Sequence, residues 1–479
     1  MTYRLIKNIA NNLSYFLLIP LFLVGGCKKL LEVDLPIDKN TSETVFSETS
    51  TAVAAINSVY VVLATNTPYV GESGISLRTA LAADELKTII PQADYEYLNS
   101  YTGLDGWNIW DVSYREVIYR INSILENIAR SKHLPERTKE ILTGEAKFTR
   151  AWLYFYLTNF YGDVPLVLST DFKVNSSISR SPLTDVYKQI EQDLLDAQNL
   201  LKDNFLEKDL LTPTSERIRP NKTAATALLA RVYLYLERWA DAENEATKVI
   251  TNSNYKLEQD LNQVFLKTSS EAIWQLQPNL LDPDSKNAPD GRWLINTYGG
   301  DPFYFASNQL LGAFESGDAR RDNWIGTSPS GATIIYKYKE GWGTTIQTEY
   351  TMVLRLPEQY LIRSEARAKL NKLKGANSAE SDINEVRHRA NLPSTNAVTI
   401  NEFLTAIDKE RQTELFLEWG DRWLNLKRTK KIDSVMSAVS AQKGTTWQPF
   451  KALFPIPYEE FKFNSALRGH QNPGYLEQP

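Results

Sequence analysis

The sequence predicts a mainly α-helical protein, a scaffold of paired helices interrupted by one irregular lobe with a few short strands, and three observations carry that expectation. Apolar residues recur at three- and four-residue spacing through much of residues 50–250 and again through 357–428. Within 221–250 small residues alternate with large ones, which lets two adjacent helices approach closely. Residues 251–356 break the pattern, being rich in Gly, Pro, Asn, Asp and aromatic side chains.

The chain opens MTYRLIKNIANNLSYFLLIPLFLVGGC, with Arg4 and Lys7, no acid, and an apolar run over 16–24. Nine apolar residues fall well short of the roughly 20 that cross a bilayer as a helix. The stretch therefore reads as a signal peptide, 1–26, ending in a lipobox before Cys27. Cys27 is the only cysteine of the chain, so an intramolecular disulfide is excluded and lipidation is the expected use of that thiol. Residues 27–49 are polar and lack a period, as expected of a tether and N-terminal arm.

Residues 50–479 form the single domain. Ser50 and Thr51 can cap a first helix whose apolar stripe is Val53, Ala54, Ile56, Val59, Tyr60 and Leu63. A second stripe runs from 110 to 128, and a third helix, 139–161, is closed by Gly162 with Pro165 beyond it. A fourth covers 184–202. The spacing of Ala227, Leu228, Ala230, Tyr233, Trp239, Ala242 and Ala246 is that of a tetratricopeptide helix pair, broken near 237–239. A further pair is expected at 357–370 and 381–389, and a long helix or helix pair at 401–428. In the lobe, 251–356, the alternating pieces ATIIYKYK and TMVLRL are candidate strands. Irregular regions of that length inside a domain usually carry function.

Charge and motifs narrow the function by exclusion. With 53 Lys plus Arg against 58 Asp plus Glu there is no basic surplus, so nucleic acid is not an expected partner. His133, His388 and His470 are scattered without partners, and no GxSxG elbow, phosphate loop or GxGxxG fingerprint occurs. An enzyme is not expected. No metal or cofactor is expected either; Asp282, Asp284, Asn287 and Asp290 faintly resemble a calcium loop, with Lys286 at a ligand position and the required glycine missing. Glu410, Glu414 and Glu418 fall on one helical face where Arg411 and Arg422 stand at pairing distance, which predicts an ion-paired structural face.

The positive signal is aromatic. Eleven Trp and 24 Tyr accompany only three Met, and several fall in loops. A sugar ring presents C–H bonds to an aromatic face while its hydroxyls seek amides, carboxylates and guanidiniums. Tyr101, Trp107 and Asn108 in SYTGLDGWNIW form one such group; Trp293 and Tyr298 in GRWLINTYGG, Trp324 in RRDNWIG and Trp342 in KEGWG supply the others. These seven are the candidate ligand-binding residues.

Several blocks, in order, resemble the SusD/RagB family of outer-membrane nutrient-binding lipoproteins over essentially the whole mature chain: CKKLLEVDLP, WNIWDVSYREVIYRINSILENI, GEAKFTRAWLYFYLTNFYGDVPLV, IDKERQTELFLEWGDRWLNLKR and LFPIPYEEFKFNSALRGHQNPGY. One departure is Trp419, which stands where a glycine is common one turn from Arg422. The resemblance implies a tetratricopeptide-like scaffold and a loop face that captures ligand. It further implies a non-catalytic lipoprotein, anchored through Cys27 in the outer membrane and exposed on the cell surface. Such a protein delivers glycan to a SusC-like TonB-dependent transporter. Peptide or another nutrient as cargo, and a helical-repeat adaptor that binds protein partners, are the alternatives. The matching blocks are scaffold signatures and transfer no ligand residue, so the candidate site rests on the loop aromatics alone.

Overall fold

In the computed structural model, residues 42–65, 68–90, 97–101, 107–279, 286–296 and 300–477 are described. The expectations for the signal peptide, for Cys27 and for the arm as far as residue 41 lie outside them. Ser42–Val45 is a helical turn within a first unit, and the body of the protein is a second unit beginning at Phe46.

The body's helices follow the sequence closely. They are α1 (Thr49–Thr65), α2 (Ile75–Ala82), α3 (Tyr119–Arg130), α4 (Glu136–Tyr161), α5 (Leu183–Leu200), α6 (Lys222–Tyr235), α7 (Trp239–Ile250), α8 (Pro289–Ile295), α9 (Leu356–Lys369), α10 (Ala379–Arg389), α11 (Ile400–Glu414), α12 (Asp421–Arg428) and α13 (Ile432–Gln442), with shorter turns between. The pairs α4/α5, α6/α7 and α9/α10 pack internally, and α5 on α6, α7 on α9 and α9 on α11 join them into one layer. Helix α4 ends at Gly162, whose φ of 75° and N–H bond to the Thr158 carbonyl close it. The α6/α7 break is a left-handed Glu237 (φ 57°), where the Glu237 N–H meets the Leu234 carbonyl and the Arg238 N–H that of Tyr233. Trp152 of α4 lies in the core with the rings of Tyr156, Trp274 and Trp419 set edge-on around it at 4.9–5.8 Å.

Two local features differ from simple helical periodicity. The helical stretch leading into α3 contains a π-turn, Ser113–Ile118, that inserts one residue into the ladder. The 401–428 stretch is a pair, α11 and α12, separated by Leu417 (φ 53°) and Trp419 (φ 49°) in the left-handed region. The strain at Trp419 is repaid by its indole, which donates to the Met352 carbonyl at 2.6 Å, and by its N–H on Ser76 Oγ at 3.1 Å.

The lobe carries two-stranded antiparallel pieces: β1 (Leu86–Thr88) pairs with β3 (Tyr304–Ala306), β2 (Ala272–Leu276) with β6 (Thr351–Arg355), and β4 (Ile325–Thr327) with β5 (Thr333–Ile335). Its root is tied to the scaffold by buried charge. The pairing expected along the acidic face is not the one found, because α11 stops at Glu414 and Glu418 lies beyond the break. Arg411 pairs instead with Asp421, and Arg422 takes both oxygens of Asp84 at 2.7–2.8 Å. The three glutamates turn to cations from elsewhere: Glu410 to Arg320 at 2.6 Å, Glu414 to Arg320, Arg355 and Arg389, and Glu418 to Arg355 and Lys337 at 2.6 Å. Burial alone would raise the Glu414 carboxyl, but Arg389, Arg355 and Arg320 outweigh it and hold it well below the usual carboxylate range.

Candidate functional site

The segment before α8 is fastened first. Asn287 is fully buried; its carbonyl oxygen accepts the N–H groups of Thr348 and Glu349 at 2.8 and 2.9 Å, and its amide donates to the Ile346 carbonyl. Pro289 starts the helix, as suits a position with no intrahelical N–H bond to make. One residue in, the Asp290 carboxylate accepts the Gly71 N–H at 2.7 Å, and burial raises that carboxyl to about 6. Asp282 and Asp284 lie outside the described residues.

This fastening sets two tryptophans at right angles. Trp293, on the last turn of α8, meets Trp342 edge to face, with centroids 5.6 Å apart and planes at 81°. Both rings are half-buried. The Arg292 guanidinium lies 4.8 Å from the Trp342 centroid, a cation–π arrangement. The Trp342 N–H donates to Asn296 Oδ1 at 3.0 Å, and Gly341 leaves room for that bond, since a Cβ there would sit 2.0 Å from the same oxygen. Gly71, at φ 74°, lies against the Trp293 indole. Below the Trp342 loop, buried Glu349 accepts the N–H groups of Lys339 and Glu340 at 2.6 and 3.2 Å; burial raises its carboxyl to about 7 despite those bonds. The result is an aromatic corner edged by a guanidinium and an amide.

The other candidates divide. Trp107 is buried: its indole donates to the Ser73 carbonyl at 3.0 Å and its ring packs on Phe160 and Phe454 at 5.1 and 5.4 Å. Trp324 is fully buried; its indole donates to the Leu261 carbonyl at 3.0 Å, and its ring contacts Phe265 and Phe416, with the Lys337 ammonium 4.9 Å from its centroid. Both are core side chains with no open face, which corrects the expectation for these two. Tyr101 is half-buried, edge-on to Phe454 at 5.5 Å, and Asn108 is exposed at the start of the helical stretch that follows. Tyr298 lies outside the described residues. The turn around Gly71 and Ser73 connects the groups, touching Trp293 at one residue and Trp107 at the other. The buried and the half-buried tryptophans alike have Gly, Arg, Asn or Asp among their neighbours in sequence, so composition could not sort them.

Two features were missed. Arg292 follows directly from its place beside Trp293 and its long cationic arm. The other is an apolar groove of about 620 Å³ between Tyr114, Tyr119, Pro165, Phe172 and Phe463, with Asp111 and Arg115 at its edge. Phe172 and Phe463 are 79 % and 75 % exposed, unusual for phenylalanine. Their appearance in otherwise polar turns was the available signal.

Two family models match this chain in order: one for starch-binding proteins associating with the outer membrane, over residues 29–234, and one for the SusD family, over residues 315–475. SusD-like protein P25 of Formosa agariphila is 25 % identical, covering 96 % of this chain and 98 % of its own length. Among solved structures, a laminarin-binding SusD-like protein superposes with a TM-score of 0.75 at 23 % identity, covering 90 % of this chain and all of its own. Surface glycan-binding protein A from Bacteroides uniformis does so with a TM-score of 0.73 at 18 % identity, covering 89 % and 99 %. The fold is shared along the whole body, the two models follow one another along it, and the chain belongs to the SusD/RagB family.

Proposed function

We propose that this protein is a non-catalytic, lipid-anchored cell-surface receptor that captures an oligosaccharide on the Trp293–Trp342 corner and hands it to a SusC-like TonB-dependent transporter. The observation that carries the reading is the corner itself. Two half-buried indoles at 81° offer apolar faces in two planes, with Arg292 and Asn296 beside them. Membership in a family whose model describes starch binding at the outer membrane supports a glycan as cargo, and so does the shared fold of a laminarin-binding relative. Affinity is modest in this reading, because delivery requires release. The test is calorimetric titration of residues 28–479 with plant, host and microbial oligosaccharides, laminarin fragments included. Saturable binding that Trp342→Ala removes supports the reading. Absence of heat from every sugar by a folded chain, or release of a cleaved product, defeats it.

The apolar groove favours a protein partner in addition. Exposed Phe172, Phe463 and Tyr119 around a concavity make a patch of the kind that soluble surfaces seldom leave open. In this reading the groove meets the transporter, and Phe172→Asp with Phe463→Asp abolishes co-purification of the barrel while sugar binding persists. Retained co-purification removes the groove from the reading.

A further inference from the structure

A second pocket, of about 260 Å³, opens within the scaffold among α6, α7, α9, α11 and α12. Its cations are Lys369, Arg411, Arg428, Lys430 and Lys431, and its acids are Glu237, Glu365 and Asp408. The acids are largely spoken for. Both oxygens of Glu365 accept from Arg428 at 2.7 Å, and Asp408 accepts from Asn425 at 2.6 Å and Lys431 at 3.0 Å. Glu237 is exposed at the rim.

The donors are not used up to the same degree. Arg411 is 1 % exposed and reaches Asp421 through Nη2, with Glu358 3.8 Å away, yet its Nε and Nη1 have no hydrogen-bond partner among the described residues; nor has Arg428 Nε. Arg428 also stands close enough to Arg411 to oppose its charge. Buried guanidinium N–H groups without acceptors are costly. Lys369 and Lys430 have no carboxylate within ion-pair distance among the described residues; the Lys369 ammonium lies 5.3 Å from the Trp239 centroid.

Two helix C-termini, those of α6 and α12, face this pocket, and a cation often serves only to satisfy such an end. Here the backbone does so itself. Glu237 and Lys430 are both left-handed, and the final carbonyls are taken by N–H groups: Leu234 by Glu237, Tyr233 by Arg238, Lys427 by Lys430 and Leu426 by Lys431. Lys369 and Lys430 are thus not needed to satisfy those helix ends.

We propose that this pocket is an anion site for a small ligand bearing one carboxylate, phosphate or sulfate group, held by Lys369, Lys430 and Arg411. The volume exceeds that of the bare oxyanion group, and the Trp239 ring supplies a flat wall on which a sugar-sized body rests. This site is separate from the aromatic corner and does not depend on its role.

The experiment titrates the mature chain by calorimetry, at constant ionic strength set with chloride, with inorganic phosphate, inorganic sulfate, D-glucuronate and glucose 6-phosphate, and with glucose as the neutral control. Lys369→Gln with Lys430→Gln changes only exposed side chains and spares the fold. The expected result is saturable binding of at least one anion, no binding of glucose, and a loss of affinity of roughly tenfold or more in the double variant. Equal affinity for phosphate and glucose 6-phosphate identifies a free oxyanion as sufficient; tighter binding of the sugar acids identifies an anionic sugar. Binding of none of the four anions, or anion binding undiminished in the double variant, overturns the proposal.

Discussion

The Lys337 ammonium donates to the Glu414 carbonyl oxygen at 2.8 Å, fastening the lobe to the last turn of α11. The same ammonium reaches the Phe416 carbonyl at 2.8 Å and Glu418 at 2.6 Å, and lies 3.8 Å from the Phe416 ring centroid. Each of its three protons has an acceptor. Lys337→Met removes all three bonds and is expected to destabilise the protein by about 2–4 kcal/mol. Urea unfolding measures the loss, and amide exchange in 321–349 is expected to accelerate more than in α4. Equal acceleration in both would show that Lys337 does not act at this junction.

Glu414 is the shared acceptor of Arg320, Arg355 and Arg389, and it is fully buried. Glu414→Gln leaves three guanidiniums short of a charge in a dry interior. The expected cost is about 3–5 kcal/mol by chemical denaturation, far more than removal of an exposed ion pair such as Lys188 with Asp185.

The tryptophans sort into two phenotypes. Trp107→Ala and Trp324→Ala empty the core, so their expected signature is a stability loss of about 3–5 kcal/mol. Trp293→Ala and Trp342→Ala remove half-exposed rings and are expected to abolish oligosaccharide binding at smaller cost to stability. Calorimetry and thermal unfolding on the four variants separate the classes.

Gly341→Ala adds one methyl group against Asn296 Oδ1, which must turn away and give up its bond to the Trp342 N–H, without altering either ring. Binding is expected to weaken by roughly tenfold if the corner's geometry matters to capture. Unchanged affinity would mean that stacking tolerates the loss of that bond.

The pH dependence of stability follows from buried acids. Burial, then the neighbouring Asp84, raises the Glu85 carboxyl to about 8, with Arg422 opposing. In the unfolded chain it ionises in the ordinary range, so the folded protein binds the extra proton across the interval between. Stability from this group is fully present below the unfolded pKa and is lost as pH rises through 8. Glu349 and Asp290 act in the same direction at lower pH. Glu85→Gln is expected to flatten the decline by up to about 1.4 kcal/mol per pH unit, read from urea midpoints across that window.

Helix placement was legible because punctuation agrees with periodicity: Gly162 and Pro165 end α4, and the small residues of α6 and α7 anticipate their pairing. Left-handed Leu417 and Trp419 were not legible, since neither is a residue type that favours that region; tertiary bonds hold them, the Leu417 N–H on Glu85 Oε1 and the Trp419 indole on the Met352 carbonyl. The partners of Glu410, Glu414 and Glu418 were hidden for a related cause. Helical spacing names neighbours along one helix, whereas Arg320, Arg355 and Lys337 arrive from the lobe. Of the loop aromatics, Trp293 and Trp342 are half-buried and meet one another, while Trp107 and Trp324 show that an indole in a loop is often the peg by which the loop is hung.

The buried ion web at the root of the lobe bears on how cargo travels. Bending there would separate charges in a medium that strongly resists it, so the described residues at the root of the lobe make a stiff joint. A pull on the helices therefore turns the corner through the same angle, like the bowl of a spoon following its handle. In the function proposed above, cargo seated there rides passively, and its release depends on what the corner meets at the end of the arc.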